Sequence, residues 1–465
     1  MVKKKGTTAP KEKKSIIDFY LEHDRKYFDI YGPNSLVILE SGHFMEVYDH
    51  VSESESRPLS ICQNVLNIMV TRRDKSDPNS PYMAGIPTHS IKRYYNILLK
   101  NNYTVIVITQ VTPPPNVTRE VTKILSPGCN LSEDIHSNAD YGQSLLVSLL
   151  IEIDSSGDHF MNLATFDSNI GETHLQYVQM ESENHESESY QLLVAAKEIL
   201  DKLNYNEILI NVVTSELYTA EDKQNLRQKV IEQLELQHKL SHFNLYQADN
   251  LKDYYRHQYQ STYLEKVFPK YKTIYNHIKE NLDLATQDPL LVVNLMLMYD
   301  FISIHDPCLI SNLNKPIIQG VNDHSLKSFN GAYSKLNIFN CSMVNSKTKS
   351  LFDYLNFTST VPGRKKLIES LKNPLLDEHV LNQKYTQIEE LVSNPELITQ
   401  LEDNLKIVDL ERIYRRFNIG KLNPYELPRI EHSNLKIKNL LETVSKQKKL
   451  KTVRTLLPDK SVLTQ

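Results

Sequence analysis

The sequence predicts a multidomain protein: a small mixed α/β domain, a second α/β domain, and then an all-α domain. Three observations carry that division. Short strand-like runs alternate with helical spacing up to about residue 128, the periodicity changes from Tyr141, and helical spacing takes over after Gln247. At 465 residues the chain is long enough for about three domains, each able to bury its own core. The expected boundaries are a basic disordered tail over 1–14, domains over 15–128 and 129–246, and a helical domain over 247–465.

A net charge of −4 excludes a uniformly basic coat, so any nucleic-acid contact must come from local patches. Cys62, Cys129, Cys308 and Cys341 form no Cys-x-x-Cys pair, which speaks against a zinc site and a secreted disulfide framework. The expectation is an intracellular, reducing compartment. In the tail, Lys3, Lys4, Lys5, Lys11, Lys13 and Lys14 face a single acid, Glu12. Without the apolar segment of a signal peptide, this reads as solvated chain, with a grip on DNA phosphates as the functional alternative. No apolar run reaches the roughly 18 residues of a membrane helix.

In the first domain, Ser15–Tyr27 has helical spacing, and Gly32-Pro33-Asn34 turns the chain into a strand at Leu36–Leu39. Further strands are expected at Val65–Val70 and Tyr103–Gln110, with a helix over Ser90–Asn101 between them. The stretch Ser41–Asp49 places a ring and a carboxylate two residues apart. On a strand, Phe44 and Glu46 then share one face while Met45 and Val47 point the other way. A ring on such a strand is ordinarily core, so the pair alone does not define a site.

The second domain is expected to contain strands Leu145–Ile153 and Phe160–Asp167 flanking the turn Ser155-Ser156-Gly157-Asp158. A helix over Ser189–Leu203 and a strand over Glu207–Val213 follow. Glu152, Asp154 and Asp167 suggest a rival activity, a carboxylate cluster binding two metal ions for phosphodiester cleavage. An ordinary hairpin edge shows the same polar alternation and is the preferred reading. In the helical part, Asn281 has capping character, and the run Leu290–Ile304 reads as a buried helix. His305-Asp306-Pro307-Cys308 then reads as a helix stop, since His305 and Cys308 have no companions at metal-ligand spacing. Leu351, Leu355, Leu367, Leu371 and Leu391 have the spacing of mutually packed helix faces, with Gly363 and Pro374 as punctuation. Arg364, Arg412, Arg415 and Arg416 suit phosphate contact or, more commonly, salt bridges inside a scaffold. A long helix is expected from Glu426 to about Arg454, with a basic finish at Lys446, Lys448, Lys449, Lys451 and Arg454 that offers DNA contact or a solvated face.

The segment Leu36–Asp49 resembles the Phe-x-Glu motif of the MutS mismatch-repair family. Val70-Thr71-Arg72-Arg73 resembles that family's Leu-Thr-Lys-Arg, and Met83-Ala84-Gly85-Ile86-Pro87-Thr88-His89 its Met-Ala-Gly-Ile-Pro-x-His. The run from Val117 to Gly128 is similar to the segment that closes the family's N-terminal domain. Leu163–Glu172 is similar, more loosely, to the start of its ribonuclease-H-like connector. The most specific match is Ser350–Leu367, continued by Leu371–Asp377, Ile388–Leu391, Asp409–Ile413 and Gly420–Pro424, which resembles the family's core and lever. Asn356, Ser359, Met45 and His43 depart from the usual pattern.

The resemblance implies mismatched-DNA binding in repair, with Phe44 as a wedge beside the mispaired base and Glu46 hydrogen-bonding to it. Arg72, Arg73 and Lys75 would hold the backbone and carry salt dependence rather than sequence preference. The implied partners are double-stranded DNA with mispairs or small loops, and a MutS-type dimer partner or a separately encoded ATPase half; no membrane is implied. ATP and magnesium belong to the family's C-terminal ATPase, and this chain has no Gly-x-x-x-x-Gly-Lys-Ser/Thr loop. Its Gly420-Lys421 is followed by Leu422, with Arg415 at the first glycine position. No enzyme activity or cofactor is therefore expected of this chain, and the core/lever domain reads as truncated, by fragmentation, a split gene or reduction. The alternative function is a MutS-derived scaffold acting through protein contacts without mismatch discrimination.

Overall fold

Ser15 begins the first helix by accepting the Asp18 N–H at 3.1 Å on its hydroxyl, and Gly32, at φ +75°, ends it. The computed structural model describes residues 15–52, 54–113, 117–131, 144–153, 159–178, 188–215, 218–237, 239–271, 273–280, 290–319, 332–339 and 350–458. The tail 1–14, the turn 155–158, Asp154, Asn281 and Cys341 lie outside the described residues. The chain divides into two units near residue 127.

The first unit contains α1 (Ile16–Tyr31), β1 (Ser35–Ser41), β2 (Phe44–Asp49), α2 (Arg57–Asn64), β3 (Thr71–Arg72), β4 (Tyr82–Pro87), α3 (Ile91–Lys100), β5 (Thr104–Gln110) and β6 (Arg119–Leu125). Its strands form one sheet in the order β3-β4-β2-β1-β5-β6. β1 and β5 pair in parallel in its interior, and both are buried over their first five residues, as strands covered on both faces are. β2 and β4 continue antiparallel from there, so the Ser41–Asp49 stretch is the second limb of a hairpin.

The strand expected at Val65–Val70 does not form. Ser56 caps α2, with Pro58 in its first turn, and the chain leaves the helix through Asn67 at φ +54°. The apolar residues are thereby divided: Leu66 is buried and Met69 is 80% exposed, leaving Thr71–Arg72 alone as strand.

In the second unit, β7 (Leu145–Ile153), β8 (His159–Asp167) and β9 (Glu172–Tyr177) form an antiparallel meander. α4 (Glu188–Lys202), β10 (Glu207–Thr214), α5 (Ala220–Gln233) and β11 (Leu240–Gln247) follow. β10 pairs in parallel with β7 and with β11. The expected boundary lay between residues 246 and 247, but the sheet takes its last strand, β12 (Ile317–Gln319), from well beyond it, in parallel with β9. Alternate residues of β7 face opposite cores: Val147, Leu149 and Ile151 meet α4 and α5, and Leu146 meets α6 (His257–Val267), α7 (Ile274–Glu280) and α8 (Leu290–His305). Asn294 of α8 is buried, and its amide N donates to the Asn162 side chain at 2.7 Å and to the Ser148 carbonyl at 3.0 Å, which fixes the helix in one position on the sheet. Among the described residues no helix is long and apolar enough to cross a membrane.

The remaining helices are α9 (Ala332–Lys335), α10 (Leu351–Leu355), α11 (Val361–Lys372), α12 (Glu378–Val392), α13 (Pro395–Asn404), α14 (Leu410–Asn418) and α15 (Leu427–Lys446). Leu351 and Leu355 are exposed, while Leu367, Leu371 and Leu391 are half-buried, Leu391 against the cluster of Leu397, Val444 and Leu450. Gly363 lies inside the first turn of α11, where its N–H donates to the capping Thr360 hydroxyl at 3.1 Å, rather than breaking the helix. The long helix stops at Lys446, short of the expected Arg454. Leu450 is buried beside Leu397 and Val444, and the Glu390 carboxylate accepts the Thr452 and Val453 N–H groups, closing a turn there.

Candidate nucleic-acid interface

A two-residue loop, Gly42-His43, joins β1 to β2. Ser41 stands opposite Phe44, and Gly42 takes φ +62°, the left-handed value that the first position of a tight hairpin loop demands and that glycine adopts without steric cost. The loop and the pairing of β2 with β4 set the direction of every side chain on β2. Met45 and Val47 are 3% and 1% exposed, whereas Phe44 is 47% exposed and Glu46 half-buried. Phe44 is therefore not a core ring. The strand's other face supplies the anchorage that lets it stand out.

Glu46 is held. The Tyr48 hydroxyl donates to its Oε2, and Tyr48 is fully buried, its ring edge-on to Tyr20 of α1 at 5.6 Å. Tyr20 is fixed in turn by donating to the Val37 carbonyl at 3.0 Å. Burial, then the hydrogen bond to Glu46 and its charge, push the Tyr48 phenol well above its ordinary value, against the pull of Arg73 and Ser41. Tyr48 is the member of this group that sequence reasoning missed. Its signal was present, because alternation places residues 44, 46 and 48 on one face.

The three candidate phosphate contacts differ. Arg72 is committed: its guanidinium donates to the Pro78 carbonyl and to the Tyr82 hydroxyl at 3.0 Å, and lies 4.8 Å from the Tyr82 ring centre. Arg73 is exposed, with its guanidinium 5.8 Å from the centre of the Tyr48 ring, and Lys75 is exposed. The loop carrying them is ordered by Asp74, whose N–H donates to Ser80 at 2.8 Å and whose carboxylate accepts the Ser76 N–H at 2.9 Å. Hydrogen bonds from Ser76 lower the Asp74 carboxyl, so it stays ionised beside Arg73 and Lys75.

The nuclease cluster is not assembled. β7 and β8 pair Leu145 with Asp167 and Glu152 with Phe160, which puts Glu152 and Asp167 at opposite ends of the hairpin, roughly 23 Å apart at strand spacing. Glu152 accepts the Tyr255 hydroxyl at 2.8 Å and Asp167 the Asn169 N–H at 2.9 Å. Among the described residues no group of three or more His, Cys, Asp and Glu is placed to hold a metal ion.

Three of the four core arginines are internal supports. Arg416 and Glu426 form a fully buried pair at 2.5 Å, and Arg415 donates to the carbonyls of Leu309, Ser311 and Asn312 at 2.6, 2.9 and 3.2 Å. Burial lowers the Arg415 guanidinium to about 10. Arg412 is buried as well, and Arg364 rests 5.5 Å from the Phe352 ring centre.

The family model for MutS domain I matches residues 15–134, and that for MutS domain III matches residues 332–463. A DNA mismatch repair protein mutS homologue of Acanthamoeba polyphaga mimivirus is 27% identical over 455 residues, covering 90% of this chain and 38% of the relative. The DNA mismatch repair protein MutS of Petrotoga mobilis is 24% identical over 437 residues, with 92% and 45% covered. That of Halothermothrix orenii is 23% identical over 413 residues, with 87% and 40% covered. The chain thus spans less than half the length of these relatives.

Proposed function

Because this chain belongs to the MutS family, we propose that its first domain, residues 15–128, binds mispaired double-stranded DNA for mismatch repair, with Phe44 as the wedge and Glu46 as the polar contact to the displaced base. The observation that carries this reading is the exposed Phe44 ring beside Glu46, on a strand whose Met45 and Val47 are locked in the core.

An apolar wedge entering a base step must unstack it, at a cost of a few kcal/mol, and a mispair is already poorly stacked and easily kinked. Recognition is then a difference in deformation energy between duplexes. The Phe44 ring offers stacking worth about 1–3 kcal/mol, and a half-buried carboxylate offers a directional acceptor. Arg73 and Lys75 supply backbone contacts, while Arg72 serves the loop that presents them.

The test is Phe44→Ala, read by fluorescence polarisation on short matched and mismatched duplexes at low salt, with a melting curve alongside. A nearly unchanged melting temperature with the mismatch preference gone is the expected result. A protein that melts several degrees lower yet keeps its full preference returns Phe44 to the core and ends this reading.

The meander β9-β8-β7, continued by parallel β10 and β11, supports a ribonuclease-H-like connector. Nucleotide chemistry is assigned to the portion of the family that these residues do not match, so this chain alone should show no saturable ATP binding by calorimetry. One observation favours a second reading, a protein-contact scaffold without mismatch discrimination. Tyr354, Phe357 and Val392 are strongly exposed. Equal binding of matched and mismatched duplexes by the unaltered chain would select it.

A further inference from the structure

We infer that Tyr48 is a positioning residue for recognition: its hydroxyl occupies one oxygen of the Glu46 carboxylate and holds the other toward the face shared with Phe44. The inference rests on the proposed function and extends it from the two residues that would touch the base to one that would not.

A glutamate on a strand has three side-chain torsions, and a half-exposed one samples several of them. Glu46 is instead tied by a hydroxyl that cannot itself wander. The Tyr48 ring is fully buried and edge-on to Tyr20, and Tyr20 is bonded to the backbone of β1, the strand that pairs with β2. The chain of support therefore runs from the centre of the sheet, through two tyrosines, to one carboxylate oxygen. With its phenol raised by burial and by Glu46, Tyr48 remains a donor across the working pH range. It therefore satisfies one oxygen permanently and leaves the second as the acceptor available to a donor outside the protein.

The arrangement also reaches the phosphate side. Arg73 lies over the Tyr48 ring, so one buried side chain touches both the carboxylate proposed to meet a base and the exposed cation proposed to meet the backbone. A carboxylate aimed at DNA is repelled by phosphates, and a nearby guanidinium offsets that repulsion.

A double-substitution cycle tests this. Tyr48→Phe keeps the ring and removes the hydroxyl, and it should lower the mismatched-to-matched affinity ratio roughly two- to tenfold while leaving matched-duplex affinity in place. Placed on Glu46→Ala, it should lower the ratio no further, because the group it positions is gone. An undiminished ratio in Tyr48→Phe overturns the inference, as does an equal loss on the Glu46→Ala background or a matching loss for matched DNA. Phe44→Ala, run in parallel, separates the two claims: a ratio that survives it defeats the proposed function, and a ratio lost there but intact in Tyr48→Phe defeats this inference alone. If Tyr48→Phe does not fold, NMR of the tyrosine-labelled full chain decides. A downfield, slowly exchanging Tyr48 hydroxyl proton that vanishes in Glu46→Ala supports the bond, and its absence from the unaltered chain refutes it.

Discussion

Both sheets have six strands, and each carries acids and an aromatic ring on an antiparallel hairpin, yet the two hairpins treat them differently. On β8, Phe166 is fully buried, edge-on to Tyr299, and the neighbouring Asp167 accepts the Asn169 N–H in a buried setting. On β2, Phe44 is nearly half exposed, and Glu46 receives one hydroxyl while staying partly open. The arginines divide in the same way. Arg415 and Arg416 have buried carbonyls or a buried carboxylate as partners, whereas Arg73 lies exposed against a ring. Residue type does not separate scaffold from candidate site here; the side chain's own fixed partners do.

Equivalent substitutions on the two sides should give unequal results. Phe166→Ala is expected to cost about 3–5 kcal/mol of stability, and Arg416→Ala a similar amount, because it strands the Glu426 carboxylate in the interior. Urea unfolding measures both. Phe44→Ala should cost well under that, and a loss as large as that of Phe166→Ala would erase the contrast.

Asp167 gives the comparison a pH dependence. Burial pushes its carboxyl up to about 6, against the pull of Lys365 and the Asn169 N–H. The unfolded value is about 3.9, so the folded state holds this proton more tightly. Its contribution is fully present below about pH 4 and is lost as pH rises through about 6. Asp167→Asn should therefore stabilise the protein at pH 7 by on the order of 2 kcal/mol, with the gain fading toward pH 4. A gain that is the same at both pH values would contradict the assignment.

The smallest effect is expected at Arg73. Arg73→Ala should weaken matched and mismatched duplexes alike and flatten the dependence of log K on log salt by about one unit. Arg72→Ala should instead act through the loop, lowering the melting temperature with little change in that slope. If the two arginines exchange these behaviours, the geometry around Tyr82 has been misassigned.

Much of the fold is legible in the sequence. Strands Leu145–Ile153 and Tyr103–Gln110 are readable because they are long apolar runs between turn residues, and period-two alternation puts Phe44 and Glu46 on one face, but only the burial of Met45 and Val47 shows that face to be the open one. Val65–Val70 misled because its composition is strand-like while the outcome was decided by the Ser56 cap upstream and a left-handed Asn67 within it. The nuclease idea failed on register, which sequence spacing does not reveal: two acids on adjacent strands sit together or far apart according to which residues pair. Tyr48 reads as packing because it is a tyrosine on a strand, although its hydroxyl's partner, Glu46, lies two residues away on the same face.

The pairing of β12 with β9 has a consequence for synthesis. Residues 317–319 leave the ribosome roughly 140 residues after Tyr177, which at about 5–20 residues per second is an interval of about 7–28 s. For that time the hydrogen-bonding edge of β9 has no strand to receive it, and an open edge is a template for pairing with another nascent chain. Translation speed between residues 177 and 319 thus becomes a variable that decides how much of the protein reaches its native sheet, and codons or chaperones that act in that window should alter yield without altering the finished molecule.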